Sequence, residues 1–425
     1  MKYKILNILK ENLVISISLI LITLFPITLL IGSSVINTSI VLMNVFFLIH
    51  IYTEKKFQVF NNDLFYFLCI LWLFFIINTL LNYNFEQNYS RAFGFFRFIL
   101  LILLLSYFFS YKDFKYKKVI FDIWTIIFIF VSLDLVFEFI FGFNLLGFKS
   151  NFDGRLSGLM GDQLKIGHWY LCFSLIILSN FYHSNKFYLF LFLSILISFL
   201  IGERANFIRL FLAICFIILI ARQFSIKNLG ILIFSITTII YVANYMDKLG
   251  AVDFKARYVN QIINIVKLDS VKEINKKNNY TPMYFNAYNI FKENKLLGVG
   301  LGSFAQKSHE KYRKTWHPLK NPIRTINGYN ILPNTHPHQY HFEILATLGL
   351  TGYIFIFLFL LYFFIKNILF YKNNKNPINL TSFLMLFVFC LPLLPTGSFF
   401  TTYGASIFWL NFALMNLGNV KNINH

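Results

Sequence analysis

Long apolar segments alternate with short polar segments along most of this 425-residue chain. An apolar segment of about 20 residues is long enough to cross the hydrocarbon core of a bilayer as an α-helix. The pattern therefore predicts an all-α integral membrane protein with about twelve transmembrane helices. The predicted spans cover residues 13–31, 35–51, 64–81, 93–109, 119–141, 166–182, 187–201, 207–221, 229–245, 342–365, 380–394 and 405–417.

Composition supports this prediction, since hydrophobic residues make up 57% of the chain and charged residues only 13%. Soluble domains carry about 25% charged residues. We expect no cleaved signal peptide, because the first apolar segment lacks a small-residue cleavage site. The cysteines lie inside apolar segments at scattered spacing, which favours buried thiols over disulfides or a zinc site. They are Cys69, Cys172, Cys215 and Cys390.

One polar segment, residues 246–341, is much longer than the other connections and divides the chain. We expect a membrane domain over residues 1–245, a loop domain over 246–341 and a second membrane part over 342–425. The short loops on the side shared by both termini hold most of the Lys and Arg residues of the short loops. The positive-inside rule therefore places both termini in the cytoplasm. The long loop and the distinctive motifs then lie on the outer face.

Charge is concentrated in this long loop, which holds fifteen Lys and Arg residues against six Asp and Glu residues. The excess is unusual, because positive charge is normally scarce on the outer face of a membrane protein. An anionic substrate or anionic lipid headgroups would be attracted to such a surface. A lysine-rich genome that fills loops with lysine is the alternative. Because topology accounts for the net charge of +20, we predict no nucleic-acid partner.

The long loop also contains helix and glycine signals. Thr281 is placed as an N-cap, with Pro282 at the first helical position, so the pattern predicts a helix there. Residues 251–267 have the pattern of a second, amphipathic helix. Gly298 and Gly300 alternate in LLGVGLGSF, where glycine allows either a tight turn or a close approach of backbone to ligand.

Two arginines stand apart from the lysine-rich background as candidate anion-binding groups. Arg204 follows Glu203 in the short turn between the seventh and eighth spans, and Arg155 precedes the sixth span. A guanidinium group binds phosphate oxygens in pairs, and an ionisable residue at the edge of a span is a functional candidate. The alternatives are an interfacial side chain for Arg204 and an ordinary loop cation for Arg155. Asp134 and Glu138 share one face of the fifth helix, and Arg97 lies in the fourth; among these three we expect structural ion pairs rather than proton transfer.

Three histidines, His336, His338 and His341, lie where the tenth span begins, with Glu343 beside them. Two histidines and a carboxylate can bind zinc. The histidines could instead cap the helix and bind loop carbonyls. In a third interpretation, a neutral imidazole accepts a hydroxyl proton near neutral pH. Spacing alone leaves these interpretations open.

A resemblance to a known family favours the third of these interpretations of the histidines. His338 and Gln339 are followed by nine residues, Gly349, two residues and Gly352, which resembles the H-[NSQ]-x9-G-x-x-G signature of the O-antigen ligase and polymerase superfamily. The segment ENKLLGVGLGSF resembles the glycine element of that family, and GERANFIRL resembles its arginine-bearing turn. The twelve-span layout with a large outer loop is also typical of the family.

This resemblance implies a metal-independent glycosyltransferase that needs no cofactor. Members move a glycan from an undecaprenyl-pyrophosphate carrier to a hydroxyl acceptor at the outer face of the bacterial inner membrane. By position, His338 would be the catalytic residue that accepts or orients the acceptor proton, and Arg204 would bind the pyrophosphate. The resemblance assigns supporting roles to His336, His341, Gln339, Gly349 and Gly352.

The chain departs from the family pattern at two positions. Many members carry Arg or His where this chain has Tyr280, so we expect the second phosphate contact from Arg257, Arg313 or Arg324. Members often have Glu where this chain has Thr347, which bears on the choice of acceptor. The predicted substrate contacts are Arg204, Arg155, Gly298, Gly300, Arg257 and Arg324.

The functions that remain possible differ in the acceptor of the glycan. An O-antigen ligase, the leading hypothesis, transfers glycan to lipid A–core, whereas an O-antigen polymerase transfers it to another lipid-linked repeat unit. A protein O-oligosaccharyltransferase and a transporter of lipid-linked glycan are weaker alternatives. Transport is disfavoured because the chain shows no convincing internal repeat. The expected partners are the lipid-linked donor, one of these acceptors and membrane lipids.

Overall fold

The computed structural model of the chain describes residues 13–82, 89–110, 116–152, 154–163, 165–220, 226–248, 271–277, 280–310, 324–326, 329–392 and 394–418. Apart from two 3-10 turns and one two-stranded hairpin, the elements within these residues are α-helices, in agreement with the predicted all-α class. In chain order they are α1 Leu13–Thr23, α2 Phe25–Ile31, α3 Ser33–Thr53, α4 Asp63–Leu81, α5 Ser90–Gly94, α6 Phe96–Ser110, α7 Lys117–Phe141, α8 Ile166–Asn180, α9 Lys186–Leu200, α10 Arg204–Ile220, α11 Ile226–Lys248, α12 Val271–Lys277, α13 Thr281–Glu293, α14 Phe304–Glu310, β1 Arg324–Ile326, β2 Tyr329–Ile331, α15 Tyr340–Asn374, α16 Pro377–Phe389 and α17 Thr402–Met415.

Among the described residues, six helical segments are long and apolar enough to cross a membrane, and one bent pair adds a seventh candidate. The six are α3, α4, α5 with α6, α7, α11 and α15, and the bent pair is α1 with α2. Each remaining predicted span also contains an apolar helix, namely α8, α9, α10, α16 or α17. The chain is therefore a multi-pass membrane protein, while the number of twelve crossings stays a prediction.

The shorter apolar helices are enclosed by other helices. Helix α8 has 15 residues and is buried along nearly its whole length, because α7, α9, α10 and α16 pack around it. Fifteen residues of α-helix rise only about 22 Å, less than the thickness of the hydrocarbon core. A helix covered on every side is apolar all round, so its sequence resembles that of a full span.

The first predicted span is broken, since α1 and α2 meet at an angle of 54°. Pro26 lies at the start of α2, and a proline cannot donate the backbone hydrogen bond that a continuous helix needs. Two buried indole groups bind carbonyls at the break. Trp124 Nε1 donates to the Thr23 carbonyl at 3.1 Å, and Trp169 Nε1 donates to the Pro26 carbonyl at 2.9 Å.

Helix α15 is also broken, at Gly349, where the backbone has a φ of 68° and a ψ of −168°. The glycine element lies directly against this break, and the Gly300 N–H donates to the Thr347 carbonyl at 2.8 Å. A Cβ atom at Gly349 would overlap the Leu296 carbonyl, and one at Gly298 would overlap the Thr347 backbone. Two glycine motifs that are far apart in sequence therefore form one close backbone contact.

The described part of the long loop contains a hairpin that the sequence pattern did not indicate. Strands β1 and β2 pair in antiparallel register, with Thr325 opposite Asn330. The Asn275 side chain of α12 donates to the Asn330 carbonyl at 2.9 Å, and the Phe285 ring of α13 stacks on Tyr329 at 4.3 Å between centroids. The hairpin thus joins α12 and α13 into one packed unit.

The helix predicted in this loop exists, but its cap was placed one residue too late. Helix α13 begins at Thr281, and Tyr280 is the N-cap, so Thr281 does not cap the helix. The amphipathic helix predicted over residues 251–267 lies outside the described residues. Helix α11 ends at Lys248 and α15 begins at Tyr340, on either side of the loop, while the division into three domains stays a prediction.

Within the described residues, Asp134 and Glu138 on α7 bind backbone N–H groups and do not form the expected ion pairs. Asp134 accepts the Leu145 N–H at 2.8 Å. Glu138 accepts the N–H groups of Ser157 and Gly158 at 2.9 and 2.7 Å. These bonds fix the connection that leads from α7 to α8, because a buried carboxylate is stable only when it is hydrogen-bonded.

We expect Gly349→Ala to destabilise the protein. The added methyl group would meet the Leu296 carbonyl, and alanine is strained at a φ of 68°. Backbone strain of this kind costs on the order of 1–3 kcal/mol. Thermal unfolding of the detergent-solubilised protein measures the effect. Gly230→Ala in α11 is the control, because nothing lies within 4 Å of its new methyl group. Equal melting temperatures for the two variants would contradict the close contact.

Candidate active site

His338 lies in a tight turn between β2 and α15, with a φ of 54° in the left-handed region. Few residues other than glycine adopt this conformation, and its occurrence often marks a functional position. Two hydrogen bonds hold the turn. The His338 carbonyl accepts the Thr396 N–H at 2.7 Å, and the Gln339 side chain caps α15 by accepting the Phe342 N–H at 3.1 Å.

The His338 ring is half-buried between two other rings. The His336 ring lies 4.1 Å away and the Tyr280 ring 5.8 Å away, measured between centroids. Burial lowers the pKa of His338 to about 4, so the imidazole is neutral at pH 7. Within the described residues neither ring nitrogen has a hydrogen-bond partner. The ring can therefore accept a proton from a bound group.

The other two histidines have different surroundings. Burial, followed by the charges of His338, Arg91 and Lys165, lowers the pKa of His336 to about 3. His341 uses both ring nitrogens, one with the Tyr353 hydroxyl at 3.0 Å and one with the Cys390 carbonyl at 2.8 Å. His341 therefore joins α15 to the end of α16. Among the described residues, no group of three His, Cys, Asp or Glu side chains has the spacing of a metal site.

A short segment between α16 and α17, residues 394–401, binds the helix that follows His338. We call this segment the strap. Glu343 of α15 accepts the Ser398 hydroxyl and, at 2.7 Å, the Phe399 N–H. Together with the bond from Thr396 to His338, these contacts attach the strap to both sides of the N-cap of α15.

The strap also reaches α8, because the Gly397 N–H donates to His168 Nε2 at 3.2 Å. His168 Nδ1 lies 3.1 Å from the Asn206 amide nitrogen, and this amide donates to Glu203. Glu203 pairs with Arg155 at 2.6 Å. Burial raises the pKa of Glu203, and the positive charge of Arg155 opposes this effect. A continuous chain of polar contacts therefore connects Arg155 to the strap.

The turn that contains Arg155 packs directly against the turn that precedes Arg204. A Cβ atom at Gly202 would overlap the Gly154 carbonyl, and the Leu156 N–H donates to the Ile201 carbonyl at 3.1 Å. Because Gly202 has a φ of 75°, the turn can approach this closely. The pairing of Arg155 with Glu203 follows from this contact.

Arg209, which the sequence pattern did not single out, is fully buried in α10. Its guanidinium donates to the carbonyls of Val388 and Leu394, both at 3.1 Å, and to the Asn206 side chain at 3.2 Å. The carbonyls at the C-terminal end of a helix favour a cation. Arg209 therefore fixes the end of α16 and the start of the strap.

Two further cations act on His336. The charges of Arg91 and Lys165 both act on the His336 ring. The Lys165 ammonium lies 3.1 Å from the Gln163 amide oxygen and 5.4 Å from the centroid of the Tyr403 ring, and burial lowers the pKa of Lys165. Within the described residues neither cation forms an ion pair with a carboxylate. A partly buried cation of this kind is suited to an anionic ligand.

The other predicted contacts have varied positions. Arg204 begins α10 and is half-buried, next in sequence to Glu203. Arg324 lies in β1, of which only the backbone is described, and Arg257 and Arg313 lie outside the described residues. Gly298 and Gly300 take part in the contact at the α15 break, and Gly352 packs against Phe74 of α4. Their predicted roles toward a substrate stay predictions.

Lys165, His168 and the strap were not found by sequence reasoning. One signal was present, because Thr396, Gly397 and Ser398 form a polar interruption within the apolar segment LPLLPTGSFF. Polar residues at the edge of a span need partners, and these three residues bind His338, His168 and Glu343. No periodicity relates them to His338, which lies in another part of the chain.

Comparison with protein families gives a match between residues 189–358 and the family model described as O-antigen ligase. A search of curated proteins found no match to the chain. The matched segment includes His338, Arg204 and the contact between Gly298 and Gly349. At the level of the family, the match supports lipid-linked glycan transfer of the O-antigen ligase type. Over residues 189–358 it confirms the predicted resemblance to the O-antigen ligase and polymerase superfamily.

Proposed function

We propose that the protein moves O-antigen or a related glycan from undecaprenyl pyrophosphate to a hydroxyl acceptor, with lipid A–core as the leading acceptor. The observation that carries the proposal is the neutral, half-buried His338 ring, which lies in the matched segment 189–358 beside His336, the ring on which the charges of Arg91 and Lys165 act. Transfer from a lipid pyrophosphate needs both features. A base takes the acceptor proton, and cations bind the anionic leaving group.

In the proposed reaction the acceptor oxygen attacks C1 of the donor sugar. The bond between C1 and the pyrophosphate oxygen breaks, and its electron pair leaves with the lipid pyrophosphate. The hydroxyl proton passes to a ring nitrogen of His338. By analogy with the family, we expect inversion at C1 and no metal or other cofactor.

The low pKa of His338 fits this role once the donor is bound. An imidazole with a pKa of about 4 is a weak base, although it is always available in its neutral form at pH 7. An anion placed beside the ring stabilises the imidazolium and so raises its pKa. The donor pyrophosphate would thereby strengthen the base that removes the acceptor proton.

The cations divide into two groups in this proposal. Arg204, by the resemblance, binds the pyrophosphate, and Arg155 stands in the neighbouring turn. Lys165 and Arg91 are the cations whose charges act beside the histidines. We assign to this second pair the phosphate contact that the family places where this chain has Tyr280. Arg324 is retained as a candidate from the loop.

We place the protein in the bacterial inner membrane, with both termini in the cytoplasm and His338 at the periplasmic face. The asymmetry of Lys and Arg among the short loops supports this orientation. A lipid-linked donor that has been carried across the membrane would reach His338 from the outer leaflet. The excess positive charge of the long loop would attract its pyrophosphate.

We expect His338→Asn to lower glycan transfer by at least about a hundredfold, as for loss of a general base. Asparagine tolerates the left-handed backbone of this turn but has no basic ring. The measurement is transfer in proteoliposomes that contain purified lipid-linked donor and acceptor. His183→Asn, at an exposed histidine outside the site, is the control. Full transfer by the His338 variant, or loss of wild-type transfer in EDTA, would refute the mechanism.

Deletion of the gene separates ligase from polymerase. For a ligase, we expect lipid A–core without glycan, together with accumulated lipid-linked polymer, because only the final transfer is blocked. For a polymerase, lipid A–core would instead carry a single repeat unit. Electrophoresis of the lipopolysaccharide and mass spectrometry of the lipid-linked pool measure the two outcomes. A normal glycan profile would contradict both.

We expect Lys165→Gln and Arg204→Gln each to weaken donor binding by about tenfold, which corresponds to about 1.4 kcal/mol. Glutamine keeps much of each side chain's length and removes the charge that attracts pyrophosphate. Binding of a soluble, short-chain polyprenyl-pyrophosphate glycan to the detergent-solubilised protein measures the effect. Lys186→Gln, at the exposed start of α9, is the control. An affinity equal to that of the control would show that the substituted residue does not bind the donor.

A further inference from the structure

The strap is the place where three parts of the molecule meet. Four successive residues, from Thr396 to Phe399, bind His338, His168 and Glu343 through the hydrogen bonds described above. Two of these partners belong to α15 and its N-terminal turn. The third, His168, comes from α8, which lies outside the matched segment 189–358.

The contact with the strap uses one nitrogen of the His168 ring. The Gly397 N–H donates to Nε2 at 3.2 Å, so Nε2 is the acceptor in this contact. Nδ1, on the other side of the ring, lies 3.1 Å from the Asn206 amide nitrogen and 3.8 Å from Glu203 Oε2. The ring therefore lies between the strap and the polar residues at the start of α10.

We propose that His168 is a positioning residue, which accepts the Gly397 N–H and so fixes the strap that holds His338 in its left-handed turn. The inference rests on the proposed function of His338 and adds a residue that does not contact the reacting atoms. Thr396 and Gly397 are adjacent, so a strap released from His168 also loosens the bond between Thr396 and the His338 carbonyl. The His338 ring then loses its orientation, and a small misplacement of a catalytic group lowers the rate strongly.

A simpler role for His168 would be packing, because its ring lies 5.6 Å from the Phe389 ring in an edge-to-face arrangement. Phenylalanine preserves much of this packing and removes the acceptor atom. Glutamine has a different shape, but its amide oxygen can accept the Gly397 N–H. The pair His168→Phe and His168→Gln therefore separates positioning from packing.

The first measurement is glycan transfer in proteoliposomes. We expect His168→Phe to lower kcat by at least about tenfold while KM for the donor changes less than about twofold, because His168 positions His338 and does not bind the donor. We expect His168→Gln to recover most of kcat. His183→Phe, in the turn after the same helix, is the matched control. A normal kcat for His168→Phe, a change mainly in KM, or failure of glutamine to restore kcat would overturn the proposal.

The second measurement does not depend on the reaction. Hydrogen–deuterium exchange of the protein in lipid nanodiscs should show faster exchange in residues 394–401 for His168→Phe than for wild type or His168→Gln. Exchange in α8 should stay unchanged, which shows that the variant is folded. Unchanged exchange in the strap would refute the positioning role. Full transfer by His338→Asn would instead refute the proposed function and leave the exchange result standing.

Discussion

Backbone carbonyl groups that lose their partners at helix breaks are the constraint that shapes this protein. Inside a membrane protein, an unsatisfied carbonyl costs several kcal/mol because water is scarce. At each of three helix breaks or ends, a different kind of donor binds the free carbonyl groups. Two tryptophans bind carbonyls between α1 and α2, the glycine element binds those before Gly349, and Arg209 binds those at the end of α16.

Two of these breaks create the conditions for the candidate site. The break at Gly349 separates the first turns of α15 from the span behind them, so the turn that contains His338 is positioned by its own contacts. The end of α16 releases the strap, whose backbone groups then bind His338 and Glu343. The site is therefore assembled at helix ends, where backbone donors and acceptors are available, and not from side chains in mid-helix.

The sequence predicts the helices and part of the candidate site. The rest of the arrangement could not be predicted, for physical reasons. Apolar periodicity located the helices, and the spacing from His338 to Gly349 and Gly352 led to the family that the match at residues 189–358 supports. Periodicity could not distinguish a short buried helix such as α8 from a span, because both are apolar on all sides. The positions of Arg209, His168 and the strap follow from tertiary contacts between distant segments, which local patterns do not record. The prediction of ion pairs for Asp134 and Glu138 was wrong for a similar reason, since these two carboxylates, within the described residues, bind backbone groups of a loop.

The position of the strap has a consequence for biosynthesis. Residues 394–401 emerge from the ribosome after almost all the other residues of the candidate site, including His338, His168 and Glu343. Until α16 and the strap are in place, Glu343 lacks its two donors and the His338 carbonyl lacks the Thr396 N–H. The order of synthesis thus couples completion of the site to insertion of the last helices. In a nascent chain, the turn that contains His338 therefore lacks these contacts until membrane assembly is nearly finished.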